Sequence, residues 1–145
     1  MTLSLWMLLG FAAWTLFLLL VGVGVRRWLL IFQGKADLTS FPGDIAHGSN
    51  AYRRAARAHA NCVENLPVFA AIILTASAAH IPPPRMDGLA AVTLGARVVQ
   101  SAIHMLLPES NTSIGFRFTS YLVQMVAMAA MAVLVEMAAS GSGRP

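Results

Sequence analysis

Residues 3–25 read LSLWMLLGFAAWTLFLLLVGVGV, 23 residues without a charge. At about 1.5 Å of rise per residue, a helix of this length crosses the roughly 30 Å hydrocarbon core of a bilayer. A cleaved signal peptide carries positive residues ahead of a shorter apolar core and a small-residue cleavage site. Here Arg26 and Arg27 follow the run instead, so it reads as a retained anchor. Trp6 and Trp28 stand near its two ends, about 33 Å apart on a straight helix, which is the spacing of two interfacial aromatic belts.

The rest of the chain has the same character. Of its 145 residues 57% are apolar and 11% are charged, against the roughly 25% charged of a soluble domain, so the chain belongs in lipid. A polar loop from Gln33 to Asn50 holds Gly34, the turn signal Phe41-Pro42-Gly43-Asp44, His47 and Gly48, and ends on Ser49 or Asn50 as a helix cap. The second helix opens with the basic stretch Ala51 to His59 and spans the membrane over 57–79. Pro67 inside it predicts a kink by freeing the Val63 carbonyl, and His80 with Pro82-Pro83-Pro84 breaks the helix. A third span over 88–107 ends at Pro108, and the loop Glu109 to Thr112 leads to a fourth over 113–139. The expected fold is an all-α membrane protein, an up-and-down bundle of four transmembrane helices. Residues 1–139 form one domain, and 140–145 form a flexible tail.

Charge sets the orientation. The net charge of +4 is not a nucleic-acid stripe, because Arg26, Arg27, Lys35, Arg53, Arg54 and Arg57 crowd around the first loop, against Arg85 in the second and Arg144 in the tail. Basic loops stay in the cytoplasm, so both termini are expected to face away from it. Arg53 and Arg54 are expected to anchor the second helix at lipid headgroups. Cys62 is the sole cysteine, which excludes an intrachain disulfide. Cys62 and His59 share a helix face, but structural metal sites usually need four ligands, so no metal site is expected.

Depth then groups the polar residues. Counted from the cytoplasmic ends, Asn61 and Glu64 lie roughly 6 and 10 Å below Arg57; His104, Gln100 and Arg97 lie roughly 5, 10 and 15 Å below Leu107. Arg117, Tyr121 and Gln124 lie roughly 6, 12 and 17 Å below Ser113. Each set follows the i, i+3 or i+4, i+7 spacing of one helical face, so three faces can converge in one slab. A charge near mid-membrane costs on the order of 3 kcal/mol on insertion scales, so Glu64 and Arg97 need partners or a wet cavity. An interhelical Glu64 to Arg97 ion pair with Asn61 and Gln100 as polar glue is the plain structural account. It leaves unexplained the added Arg57, Arg117, Tyr121 and His104, whose surplus of positive charge suits an anionic ligand. A transporter would place polar residues through the full depth, but the outer halves of these helices are almost purely apolar.

The string Arg54-Ala55-Ala56-Arg57-Ala58-His59-Ala60-Asn61-Cys62-Val63-Glu64-Asn65-Leu66-Pro67 resembles the second-helix signature of the MAPEG family, membrane-associated proteins in eicosanoid and glutathione metabolism. Arg97 in the third helix, and Arg117 followed four residues later by Tyr121, match further family positions, and the resemblance, to bacterial-type members, covers nearly the whole chain. It implies a homotrimer in a bacterial inner membrane, with glutathione bound between subunits on the cytoplasmic side. It also implies transferase or peroxidase-like chemistry on lipophilic substrates. Carried over by position, Arg57, Asn61, Glu64, Arg97, His104, Arg117 and Tyr121 are the glutathione-binding candidates. Arg117 is the catalytic candidate, a fixed cation beside the thiolate that attacks. His104 stands where prostaglandin-synthesising members carry tyrosine, and Ala60 where some carry a further arginine. Accessory members of the family that bind lipid without catalysis offer the alternative role.

Overall fold

The computed structural model describes residues 1–41 and 48–141. The turn at Pro42, Gly43 and Asp44, His47, and residues 142–145 lie outside them. The first span is one continuous helix, Leu3–Phe32, in three parts: α1 (Leu3–Phe17), a π-helical stretch (Leu18–Gly24) and α2 (Val25–Phe32). Thr2 caps it, its hydroxyl accepting from the Leu5 N–H at 3.4 Å. The helix therefore runs past the expected end at Val25. Arg26 and Arg27 sit inside it, because a 30-residue helix outlasts the hydrocarbon core and long arginine stems reach the headgroups. Trp6 and Trp28 are both on the outer surface.

The π-helical stretch was not foreseen. Gly22 lies where this stretch meets α3 (Asn50–Ala78), and a Cβ there would come within 3.2 Å of the Ala55 Cβ. His59 Nδ1 donates to the Thr15 carbonyl at 3.2 Å, just ahead of the change in helical pitch. The helix closes on a Schellman turn at Gly34 (φ 65°), with Lys35 N–H to Leu30 O and Gly34 N–H to Ile31 O, both 2.9 Å.

Ser49 caps α3, accepting from Tyr52 N–H at 3.3 Å, and the helix continues through Pro67. It too ends on a Schellman turn, with Ile81 N–H to Ala76 O at 3.1 Å and His80 N–H to Ser77 O at 3.2 Å. Here the left-handed position falls to His80 (φ 54°) rather than to a glycine. α4 (Pro83–Leu106) starts five residues ahead of the expected Gly88. The second helix ends ahead of the prolines as expected, and Pro83 and Pro84 also begin the next one, since first-turn residues need no N–H. α5 (Asn111–Gly141) opens on a reciprocal cap in which Ser110 and Ser113 each accept the other's N–H, at 3.1 and 3.0 Å. It extends through Ser140 and Gly141, which were expected in the tail.

Contacts at the two ends fix the up-and-down order. Asp87, at the start of α4, accepts from both the N–H and the hydroxyl of Ser4. At the opposite end Arg27 donates to the Tyr52 hydroxyl, and Arg57 pairs with Glu109 in the α4–α5 loop. α4 is central, packed on α1, α3 and α5. The core is built of Phe11, Phe69, Ile73, Met128 and Met131 with the small Ala58, Cys62 and Ala90, which let the helices approach closely. The Phe11 and Phe69 rings meet at 5.6 Å.

Candidate functional site

Three helices meet in a polar chain near the Arg57 end. Arg117 on α5 donates from Nη1 to His104 Nδ1 on α4 at 3.0 Å, and His104 Nε2 lies 3.5 Å from the Asn61 side chain on α3. Arginine only donates, so Nδ1 must accept and, in a neutral ring, Nε2 carries the proton. The Asn61 atom set against Nε2 is Nδ2, and a half-turn of the amide group presents Oδ1 to the Nε2–H and completes the chain. Asn61 is steadied from below, its carbonyl accepting from Asn65 Nδ2 at 2.8 Å.

Deeper in the bundle Arg97 is 1% exposed. Its Nη1 donates to Gln100 Oε1, one turn along the same helix, at 2.7 Å, and its guanidinium lies 5.8 Å from the Phe11 ring centre. Nε and Nη2 have no hydrogen-bond partner among the described residues, nor does either amide atom of the buried Gln124 on α5. Ser101 donates to the Arg97 carbonyl at 2.8 Å, which leaves its oxygen to accept from the Cys62 thiol at 3.7 Å. Cys62 is fully buried and acts as a packing residue with one weak hydrogen bond.

The ion pair between Glu64 and Arg97, the plain structural alternative to a ligand site, does not form. Glu64 is on the surface of the bundle, within electrostatic range of Arg97 but with no salt bridge to it among the described residues. Tyr121 also faces outward, 39% exposed. Arg57 sits at the mouth, its Nη1 3.0 Å from Glu109 Oε1. The chain thus brings together Asn61, His104 and Arg117, with Arg57 and Arg97 in electrostatic range of His104, while Glu64 and Tyr121 border the cluster from outside. Glu109 was missed as a partner. The signal was present, since the loop after Pro108 had to end up at the same membrane face as Arg57.

As chemistry, the cluster is a set of fixed guanidinium donors and one imidazole at the polar end of an apolar bundle, suited to holding carboxylates and stabilising an anion. Among the described residues no three His, Cys, Asp or Glu side chains gather to hold a metal ion. A comparison with curated proteins gives no match. The family model for MAPEG matches residues 4–136, nearly the whole chain, and with four helices long and apolar enough to cross a membrane, this multi-pass membrane protein belongs to the MAPEG family.

Proposed function

We propose that the chain is a glutathione-dependent membrane enzyme acting on lipophilic electrophiles, assembled as a homotrimer with glutathione held between subunits. The observation that carries this reading is the Asn61–His104–Arg117 chain across three helices, in a protein of a glutathione-associated family. Glutathione has two carboxylates and one amine, which calls for several arginines and one carboxylate. Arg57, Arg97 and Arg117 with Glu64 are that complement, and Asn61, His104 and Tyr121 add hydrogen bonds. The exposure of Glu64 and Tyr121 on a single subunit suits residues shared with a ligand and a neighbouring copy.

Arg117 is the residue assigned to the sulfur. A fixed cation favours the thiolate, the form that attacks. His104, accepting from Arg117, holds the guanidinium in place. The thiol gives up its proton to solvent, the sulfur lone pair forms the new bond to the electrophilic carbon, and the leaving group departs with the bonding pair. With a hydroperoxide the thiolate attacks the terminal oxygen, the O–O bond breaks and the alkoxide leaves, taking a proton to become the alcohol; the sulfenic acid so formed condenses with a second glutathione to give the disulfide and water.

The test is a stopped-flow titration of the detergent-purified protein with glutathione near 240 nm at neutral pH. The expected result is a saturable thiolate signal, absent in Arg117→Ala, with conjugation of an activated aryl halide falling by about a hundredfold or more in that variant. No signal, together with no heat of binding, would overturn the enzyme reading and leave the lipid-binding accessory role.

A further inference from the structure

A second polar feature lies at the same end of the bundle, outside the thiolate cluster. A cleft of about 300 Å³ opens between the first turns of α3 and the α4–α5 loop, lined by Asn50, Arg53, Arg54, Arg57, Pro108 and Glu109. Its lining carries three guanidinium groups against one carboxylate, a net of two positive charges. It sits at the beginning of a 29-residue helix, whose positive dipole end adds to the field. Arg54 Nε is enclosed and has no hydrogen-bond partner among the described residues. Arg53 is held toward the cleft by Asn50 Oδ1, and Arg57 by Glu109.

We propose that this cleft is a binding site for a phosphate group. Three arginines within five consecutive residues line one cleft with forked donors, matching the several oxygens and the charge of a phosphate better than a single carboxylate does. The volume suits a phosphate with its ester substituent. Glu109 is the internal competitor: its carboxylate occupies Arg57 until a phosphate displaces it. The pair is more than half exposed on both sides, so it is easily displaced and tunes affinity only modestly. Arg57 is shared with the residues assigned to glutathione, whereas Arg53 and Arg54 are not, so substitutions at Arg53 and Arg54 test this site apart from the thiolate chemistry.

The source of the phosphate is either a membrane lipid headgroup or a soluble phosphate compound, and one experiment separates them. Thermal unfolding of the full chain in detergent is followed by tryptophan fluorescence. Inorganic phosphate is titrated at constant ionic strength against chloride, and short-chain phosphatidic acid against the diacylglycerol of the same chain length. A saturable rise in Tm is expected, weakened about tenfold or more in apparent affinity in the Arg53→Gln, Arg54→Gln double variant and unchanged in Arg85→Gln at the opposite end. Glu109→Gln is expected to tighten binding two- to fivefold, roughly the worth of an exposed ion pair, a gain that a merely weakened fold would not give. Response to phosphatidic acid alone identifies the lipid headgroup; response to inorganic phosphate, alone or with the lipid, identifies the phosphate itself. Flat titrations with both probes, or a response that survives intact in the double variant, overturn the proposal.

Discussion

Gln124 is wholly buried in α5, yet neither end of its amide finds a partner among the described residues. A buried polar group left unpaired costs about 1–3 kcal/mol, so an apolar side chain of similar size should be tolerated or better. Gln124→Leu is expected to raise unfolding stability by about that amount, read as a shift in the denaturant midpoint in micelles; a loss of stability would mean the amide is satisfied in the assembled protein. Helical spacing alone grouped Arg117, Tyr121 and Gln124 on one face. Round the helix, Tyr121 lies about 40° to one side of Arg117 and Gln124 about 20° to the other. The edge of the core runs between them, and spacing cannot locate that edge. The same limit applies to Arg97: depth counting put it within about 5 Å of the level of both Glu64 and Gln100, and the partner one turn along its own helix won. That bond needs no second side chain brought across from another helix.

The boundaries of the elements are where composition misled most. A triple proline reads as a breaker, but at a helix start it is preorganised, so α4 began earlier than expected. Arg26 and Arg27 read as the end of a span because charge ends hydropathy, while the backbone carried on to Phe32. The π-helical stretch has no sequence period of its own; Gly22, meeting Ala55, and the bond from His59 to Thr15 explain it only after the fold is known. The turn that closes α3 gives a test at this scale. His80 holds a left-handed conformation that costs an L-residue with a side chain roughly 1–2 kcal/mol. His80→Gly is therefore expected to stabilise the protein by about 1 kcal/mol once the extra chain entropy of glycine is set against that relief, measured by thermal unfolding.

For the whole molecule, the number of spans and the convergence of Asn61, His104 and Arg117 were legible, because apolar length and depth counting depend on geometry that every membrane helix shares. Glu64 and Tyr121 look outward, because helical spacing fixes which residues share a face but not which of them the neighbouring helices cover. Orientation rests on charge and is directly testable. In a Cys62→Ala background, Thr2→Cys is expected to react with a membrane-impermeant maleimide added to intact cells, and Lys35→Cys only after the membrane is opened; the reverse pattern would invert the bundle. The buried Arg97 has a further consequence for biogenesis. α4 brings a cation into lipid with one neutral hydrogen bond, while a four-residue link, 79–82, ties it to α3. A lone α4 would be a poor substrate for lateral release from the translocation machinery, whereas the pair, entering together as a hairpin, shields the guanidinium before it meets acyl chains. The brevity of that link, at the end of the bundle opposite Arg57, leads us to expect the two helices to insert as one unit.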